Sequence, residues 1–246
     1  MRTLLPLLLL TACAQDPAPE ATPAVDQAPV APSSAPAESE GADFDARAWL
    51  DQTRPLVEAY DTANDPDAAR EAIKQQADLL DDALDWRRAC DTYWDPTTNA
   101  EVYDPLPRED EDFGRGMLYL DPLGEGRTLV TVTCYFGAYQ GSYALVHIEG
   151  DRAMLVRAPD LDENDQPTDR RTGVFGTPEV VNPAQGIFET FSKGRGLGDC
   201  GTFVRYRLAE GGRTDIREVR SRGCNDDLPK DLPPPHEWPV VYRADG

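Results

Sequence analysis

Residues 116–157 read GMLYLDPLGEGRTLVTVTCYFGAYQGSYALVHIEGDRAMLVR, and two properties of this stretch decide the fold class. Apolar and polar side chains alternate with a period of two over 116–120, 127–135, 142–149 and 152–157, the spacing that turns one face of a β-strand toward a core. Between these runs sit Gly124-Glu125-Gly126-Arg127 and Glu149-Gly150-Asp151-Arg152, where glycine supplies the positive φ that a tight hairpin needs. The pattern recurs downstream in 187–193, 201–208 and 213–220, with Glu210-Gly211-Gly212-Arg213 between the last two. Strands joined by short hairpins predict an antiparallel sheet folded as a sandwich or a small barrel-like body.

Upstream, over 43–89, the period changes to that of a helix. Phe44, Ala48, Trp49, Leu50, Leu56, Val57 and Tyr60 mark a first helix that Pro55 is expected to bend or restart. A second helix follows: Asp65 can cap it, Pro66 suits its first turn, and Ala69, Ile73, Ala77, Leu80 and Leu84 recur at three and four on one face. The predicted class is therefore α+β: an N-terminal helical pair, appended by that stripe to an antiparallel β-domain over 90–246.

The front of the chain has a different character. Met1, Arg2 and Thr3 precede a short apolar run ending in Leu10-Thr11-Ala12-Cys13, which reads as a signal peptide over 1–12 rather than a span, since a span needs about 20 apolar residues. The last four residues resemble a bacterial lipobox, in which Cys13 takes a diacylglycerol and becomes the first residue after cleavage. Added acyl chains, palmitate among them, would each contribute about 0.8 kcal/mol per buried CH2 and hold the chain on the membrane. Ala14 rather than an aspartate follows, as in lipoproteins sent on to the outer membrane, and a periplasm-facing position is expected. Residues 14–42 repeat Pro, Ala, Ser and Glu with almost no large apolar side chain, so 13–42 is read as a lipidated cysteine and an extended tether.

A formal charge of −21 with a pI near 4.3 argues against nucleic acid as a partner, because phosphate binding needs a basic surface. Four cysteines follow Cys13: Cys90, Cys134, Cys200 and Cys224. An even number in an exported chain predicts two disulfides with three possible connectivities. Sequence neighbours, Cys90 with Cys134 and Cys200 with Cys224, are favoured; a metal site is the alternative, but no CxxC or His-rich set supports it.

Cys134-Tyr135-Phe136-Gly137-Ala138-Tyr139, Val181-Asn182-Pro183, Phe191-Ser192-Lys193-Gly194-Arg195-Gly196-Leu197-Gly198-Asp199-Cys200-Gly201 and Trp238-Pro239-Val240-Val241-Tyr242 resemble, in order and spacing, the bacterial domain-of-unknown-function family 1176. The resemblance covers roughly 115–243 and implies an exported protein with paired cysteines and no established activity. Cys134, Cys200 and Cys224 fall where family cysteines sit. The front departs from the pattern, with a tether and helices where a further β-rich, cysteine-containing segment is usual.

No constellation names a reaction. The run Gly194–Gly201 fits neither the dinucleotide fingerprint nor the phosphate loop, because a strand rather than a helix follows it. It reads as a bulged or twisted strand bringing Cys200 to its partner, with Arg195 and Asp199 paired locally; contact with a ligand is the alternative. Asp160, Asp162, Glu163, Asn164, Asp165 and Asp169 crowd one expected loop. A calcium site at Asp160, Asp162 and Asp165 is the alternative to a solvated loop there, although the EF-hand positions for glycine and the closing glutamate hold Asp165 and Arg171. His147, inside a strand, and His236, in a proline-rich arm, are the only histidines and have no GxSxG serine to serve. Tyr135, Phe136, Tyr139 and Tyr143 bracket two glycines and either pack in the core or stack on a ligand. With no catalytic residue, metal or cofactor to assign, the expected role is non-catalytic: a lipid-anchored binding or scaffolding module whose candidate ligand residues are Tyr135, Tyr139, Arg195 and Asp199. Its partners would be the membrane and an envelope protein or glycan. The alternatives are a periplasmic hydrolase of envelope sugar or peptide and a calcium-dependent adhesion or stability module.

Overall fold

The computed structural model describes residues 44–105, 114–137, 140–224 and 232–244. The signal-peptide and tether residues, with Cys13, and Tyr139 lie outside the described residues.

Helix α1, Ala46–Ala59, starts where the Asp45 carboxylate accepts from the Ala48 N–H at 2.9 Å. It runs through Pro55 without a break, so the expected restart does not occur. The ring costs one backbone hydrogen bond there, and the packing of Trp49, Leu50 and Thr53 on the body outweighs it. Helix α2, Pro66–Leu84, begins with the Asp65 cap and buries Ile73, Ala77, Leu80 and Leu84. Asp85, in the left-handed conformation, ends it and leads into the short α3, Trp86–Cys90.

Strands β1 (Thr92–Asp95) and β2 (Ala100–Tyr103) form a separate hairpin. A first sheet has the order β3 (Leu118–Gly124), β4 (Arg127–Phe136), β5 (Gly141–Glu149) and β6 (Arg152–Leu155). Strands β7 (Ala158–Leu161) and β8 (Pro167–Thr172) pair with each other, and the two-residue β9 (Val174–Phe175) joins β5. A second sheet runs in simple sequence order through β10 (Thr177–Asn182), β11 (Ile187–Lys193), β12 (Gly201–Leu208), β13 (Thr214–Arg222) and β14 (Val240–Arg243). Every pairing between these strands is antiparallel. The sheets stay open, so the fold is a sandwich rather than a barrel.

The pleat of β4 and β5 sorts their side chains into two cores. Val130, Val132, Cys134, Ala144, Val146 and Ile148 face α1–α3 and pack with Trp49, Ile73, Leu80 and Trp86. Leu129 and Leu145 point the other way, against Phe188, Val204, Tyr206 and Ile216 of the second sheet. The first sheet is thus the middle of three layers, and the helical pair is integral to a core rather than appended to it. Double burial explains why Leu129–Cys134 and Tyr143–Ile148 contain so few charged side chains. The indoles of Trp49 and Trp86 seal the helical side by donating to the Gln76 and Ala77 carbonyls at 2.9 and 2.8 Å.

His147 sits on the inter-sheet face of β5, 1% exposed, between Leu129 and Met154 in register, and neither ring nitrogen hydrogen-bonds to a described residue. Burial holds its pKa below the ordinary value of 6.5, assisted by Arg127 and opposed by Glu149. Because the folded state binds the proton less well than the unfolded chain, the contribution of His147 to stability is constant above about pH 6.5 and declines as the pH falls below it. The slope is at most about 1.4 kcal/mol per pH unit and ends at the folded-state pKa. His147→Leu is expected to flatten that part of the profile in denaturant titrations between about pH 5 and 7; an unchanged slope would place the titrating group elsewhere.

Candidate functional site

Two regions gather the polar side chains that could contact a partner. One is the end of the molecule where the β11–β12 connection lies. Residues 194–200 form a loop of turns rather than the expected bulged strand. The Gly194 N–H donates to the Cys200 carbonyl at 2.9 Å, the Gly198 N–H donates to Arg195, and the Arg195 guanidinium grips Asp199 through Nε (2.8 Å) and Nη2 (2.5 Å). Hydrogen bonding from Arg195 keeps the buried Asp199 carboxyl below its ordinary range. A Cβ on Gly194 would lie 2.7 Å from the Cys224 sulfur, and one on Gly201 would lie 2.1 Å from the Ser192 carbonyl. The glycines of this motif therefore make room for a disulfide and a close backbone approach, and Arg195 with Asp199 holds the loop shut.

The four described cysteines pair as Cys90–Cys134 and Cys200–Cys224. The first bond joins α3 to β4 beneath the helices, both residues within the core; in the second, Cys200 is buried while Cys224 is exposed.

The β4–β5 tip adjoins the loop, since the Lys193 N–H donates to the Gln140 side chain. Tyr135 is 47% exposed and Phe136 45% exposed, while Tyr143 is buried and meets Phe136 edge-on at 6.4 Å. Tyr135 and the Arg195–Asp199 pair thus share one end of the fold, with Tyr135 presented to solvent and the ion pair committed to its loop.

The acidic stretch is not one long loop. It is the β7–β8 hairpin, whose turn is built by Asp162 accepting from the Asn164 and Gln166 N–H groups at 2.8 and 2.9 Å. Asp160 pairs with Arg170 at 3.1 Å, and Asp165 accepts from the Thr202 hydroxyl at 3.0 Å. The three carboxylates point to three different partners, and no group of three or more metal-ligating side chains comes together among the described residues. His236 is exposed, 3.9 Å from the neighbouring Glu237.

The second region is the outer face of the second sheet. Register places Glu179, Glu189, Arg205, Glu218 and Arg243 side by side on β10 to β14, a cross-strand row of charges. Arg205 bonds Glu189 at 2.6 Å, and Arg220 and Arg243 both bond Glu218. Burial pushes Glu218 up, but the hydrogen bonds from Arg220 and Arg243 outweigh it and leave the carboxyl below its ordinary range. Beyond this row lies an open groove of about 690 Å³ lined by Val181, Asn182, Gln185, Ile187, Arg205, Arg207 and Arg217. A bulge in β13 shapes it: Arg205 pairs with Glu218 and Tyr206 with Ile216, so Arg217 is an extra residue that shares the outer face with Glu218. The groove escaped the sequence reading. Its signal was Arg205, Arg207 and Arg217 at outward positions of two alternating strands in a strongly acidic chain.

Helices over a doubly covered sheet, a second open sheet and two disulfides define a disulfide-stapled α+β protein. The family described as "Protein of unknown function (DUF1176)" matches residues 14–245, and the chain belongs to that family. The match takes in residues of the helical front as well as the β body, beyond the 115–243 over which the motifs carry the resemblance. No curated protein and no solved structure matches the chain. No described helix is long and apolar enough to cross a membrane.

Proposed function

We propose that this protein is a lipid-anchored, non-catalytic binding module of the bacterial cell envelope. The observation that carries this reading is the cysteine pairing. The chain has five cysteines, and the four in the folded body bond to one another. That leaves Cys13, in its lipobox setting, without a body thiol to join. Two disulfides also suit an oxidising compartment outside the cytoplasm. Ala14 after the cysteine favours the outer membrane, and the Pro- and Ala-rich stretch to residue 42 would hold the body clear of the lipid, facing the periplasm. The outer face of the second sheet is the binding surface, because its groove is lined by guanidinium, amide and aliphatic groups and by no nucleophile or carboxylate.

Cell fractionation tests the anchor. The natural chain is expected in the outer-membrane fraction, released only by detergent, and Cys13→Ser is expected in the soluble fraction. Equal partitioning of the two chains would sink the anchored reading.

A further inference from the structure

The groove has a chemistry of its own, set against that of the molecule around it. The chain carries a formal charge of −21, so its long-range field repels anions and only a local arrangement can hold one. Arg205 is oriented by Glu189, Arg207 stands 3.6 Å from Asp215 with both side chains about half exposed, and Arg217 makes no ion pair with a described residue. Arg205 and Arg207 are two apart on β12, which places them about 7 Å apart along one face. The bulge sets Arg217 beside them from the neighbouring strand. Three planar guanidiniums converging from two strands are suited to grip an oxyanion through paired N–H donors.

The rest of the lining matches other parts of a ligand. The side chain of Asn182 accepts from the Gln185 N–H at 3.3 Å and donates to the Gln185 side-chain oxygen at 3.2 Å, which fixes the two amides at the rim. Val181 and Ile187 supply a small aliphatic wall. Amides for hydroxyls, an aliphatic wall for ring C–H groups and guanidiniums for an oxyanion together describe a charged sugar, and the volume is in the range of small-ligand sites, about 300 to 1,000 Å³.

We propose that this groove binds an anionic sugar, a saccharide bearing a carboxylate or phosphate group, with Arg205, Arg207 and Arg217 holding the oxyanion. The inference rests on the binding role proposed above and gives it a ligand class. Repulsion by the whole molecule favours short, singly or doubly charged saccharides over long polyanions.

The test is calorimetric titration of the detergent-solubilised full chain with trigalacturonic acid, glucose 6-phosphate and neutral maltotriose. At least one anionic sugar is expected to bind saturably, about tenfold or more tighter than maltotriose. A preference between the two tells carboxylate from phosphate. Arg217→Met and Arg207→Met are each expected to weaken that binding about tenfold or more, while Arg213→Met, exposed and outside the groove, leaves it unchanged. Both groove positions are at the surface, so melting curves matching the natural chain would show that a loss reflects the site and not the fold. No saturable binding of either anion at about 10 mM, equal binding of maltotriose, or natural affinity in both groove variants would overturn the proposal. The acyl mass of the N-terminal peptide from the same preparation reports on the anchor independently, so an acylated chain that ignores anionic sugars would count against the groove alone.

Discussion

Arg115→Met is expected to lower the unfolding free energy by about 3–5 kcal/mol, as breaking one side of a buried ion pair does. The Arg115 guanidinium bonds both oxygens of Asp91 at 2.9 and 3.0 Å, and the two side chains are 4% and 5% exposed. The pair ties the turn before β3 to the end of α3, with the Trp86 ring centroid 5.9 Å from the guanidinium carbon. Methionine would keep much of the packing against Trp86 but leave the Asp91 carboxylate buried without its cation. Urea denaturation measures the loss. Arg115→Met combined with Asp91→Leu is expected to recover a large part of it, because the stranded charge goes too. A loss under about 1 kcal/mol for the single change would mean that water reaches Asp91 and that the pair behaves like a surface bridge.

Second in size is the Cys90–Cys134 bond. Its sequence separation of 44 corresponds to about 4 kcal/mol in the loop-entropy treatment, against about 3.5 kcal/mol for the separation of 24 at Cys200–Cys224. Cys90→Ala/Cys134→Ala removes that constraint where it joins the helical layer to the middle sheet, so faster hydrogen exchange is expected first in α2 and α3. The two bonds should also respond differently to reductant. Cys224 is exposed while Cys90 and Cys134 lie in the core, so dithiothreitol in native buffer is expected to open Cys200–Cys224 and spare Cys90–Cys134. Peptide mapping after partial reduction checks the order; simultaneous opening would contradict the core placement of the first bond.

The parts of the fold that were legible in the sequence are those in which local pattern and tertiary role agree. The hairpins at Gly124–Arg127 and Glu149–Arg152, the strands around them and the Asp65-capped helix follow from glycine conformations, period-two alternation and a helical stripe. Strands β7, β8 and β10 were missed because the residues of Ala158–Leu161, Pro167–Thr172 and Thr177–Asn182 are mostly partly buried or exposed and include few apolar side chains to mark a period. The third layer was missed for the opposite reason. A strand covered on both faces loses the polar half of its alternation, and β4 and β5 were read as one-sided when their apolar runs signalled cover on each side. At the candidate site, the local Arg195–Asp199 pair was visible at a spacing of four residues. The groove depends instead on a bulge and on register between strands, which juxtapose Arg207 and Arg217 across ten positions of sequence.

Mass spectrometry of the membrane-extracted mature protein, with and without reductant, tests the envelope reading most directly. An N-terminal peptide that begins at Cys13 and carries acyl mass, together with peptides linked as Cys90–Cys134 and Cys200–Cys224, is the expected result. An unmodified N-terminus would contradict the lipid anchor, and free or differently joined cysteines would contradict the pairing on which the proposal rests.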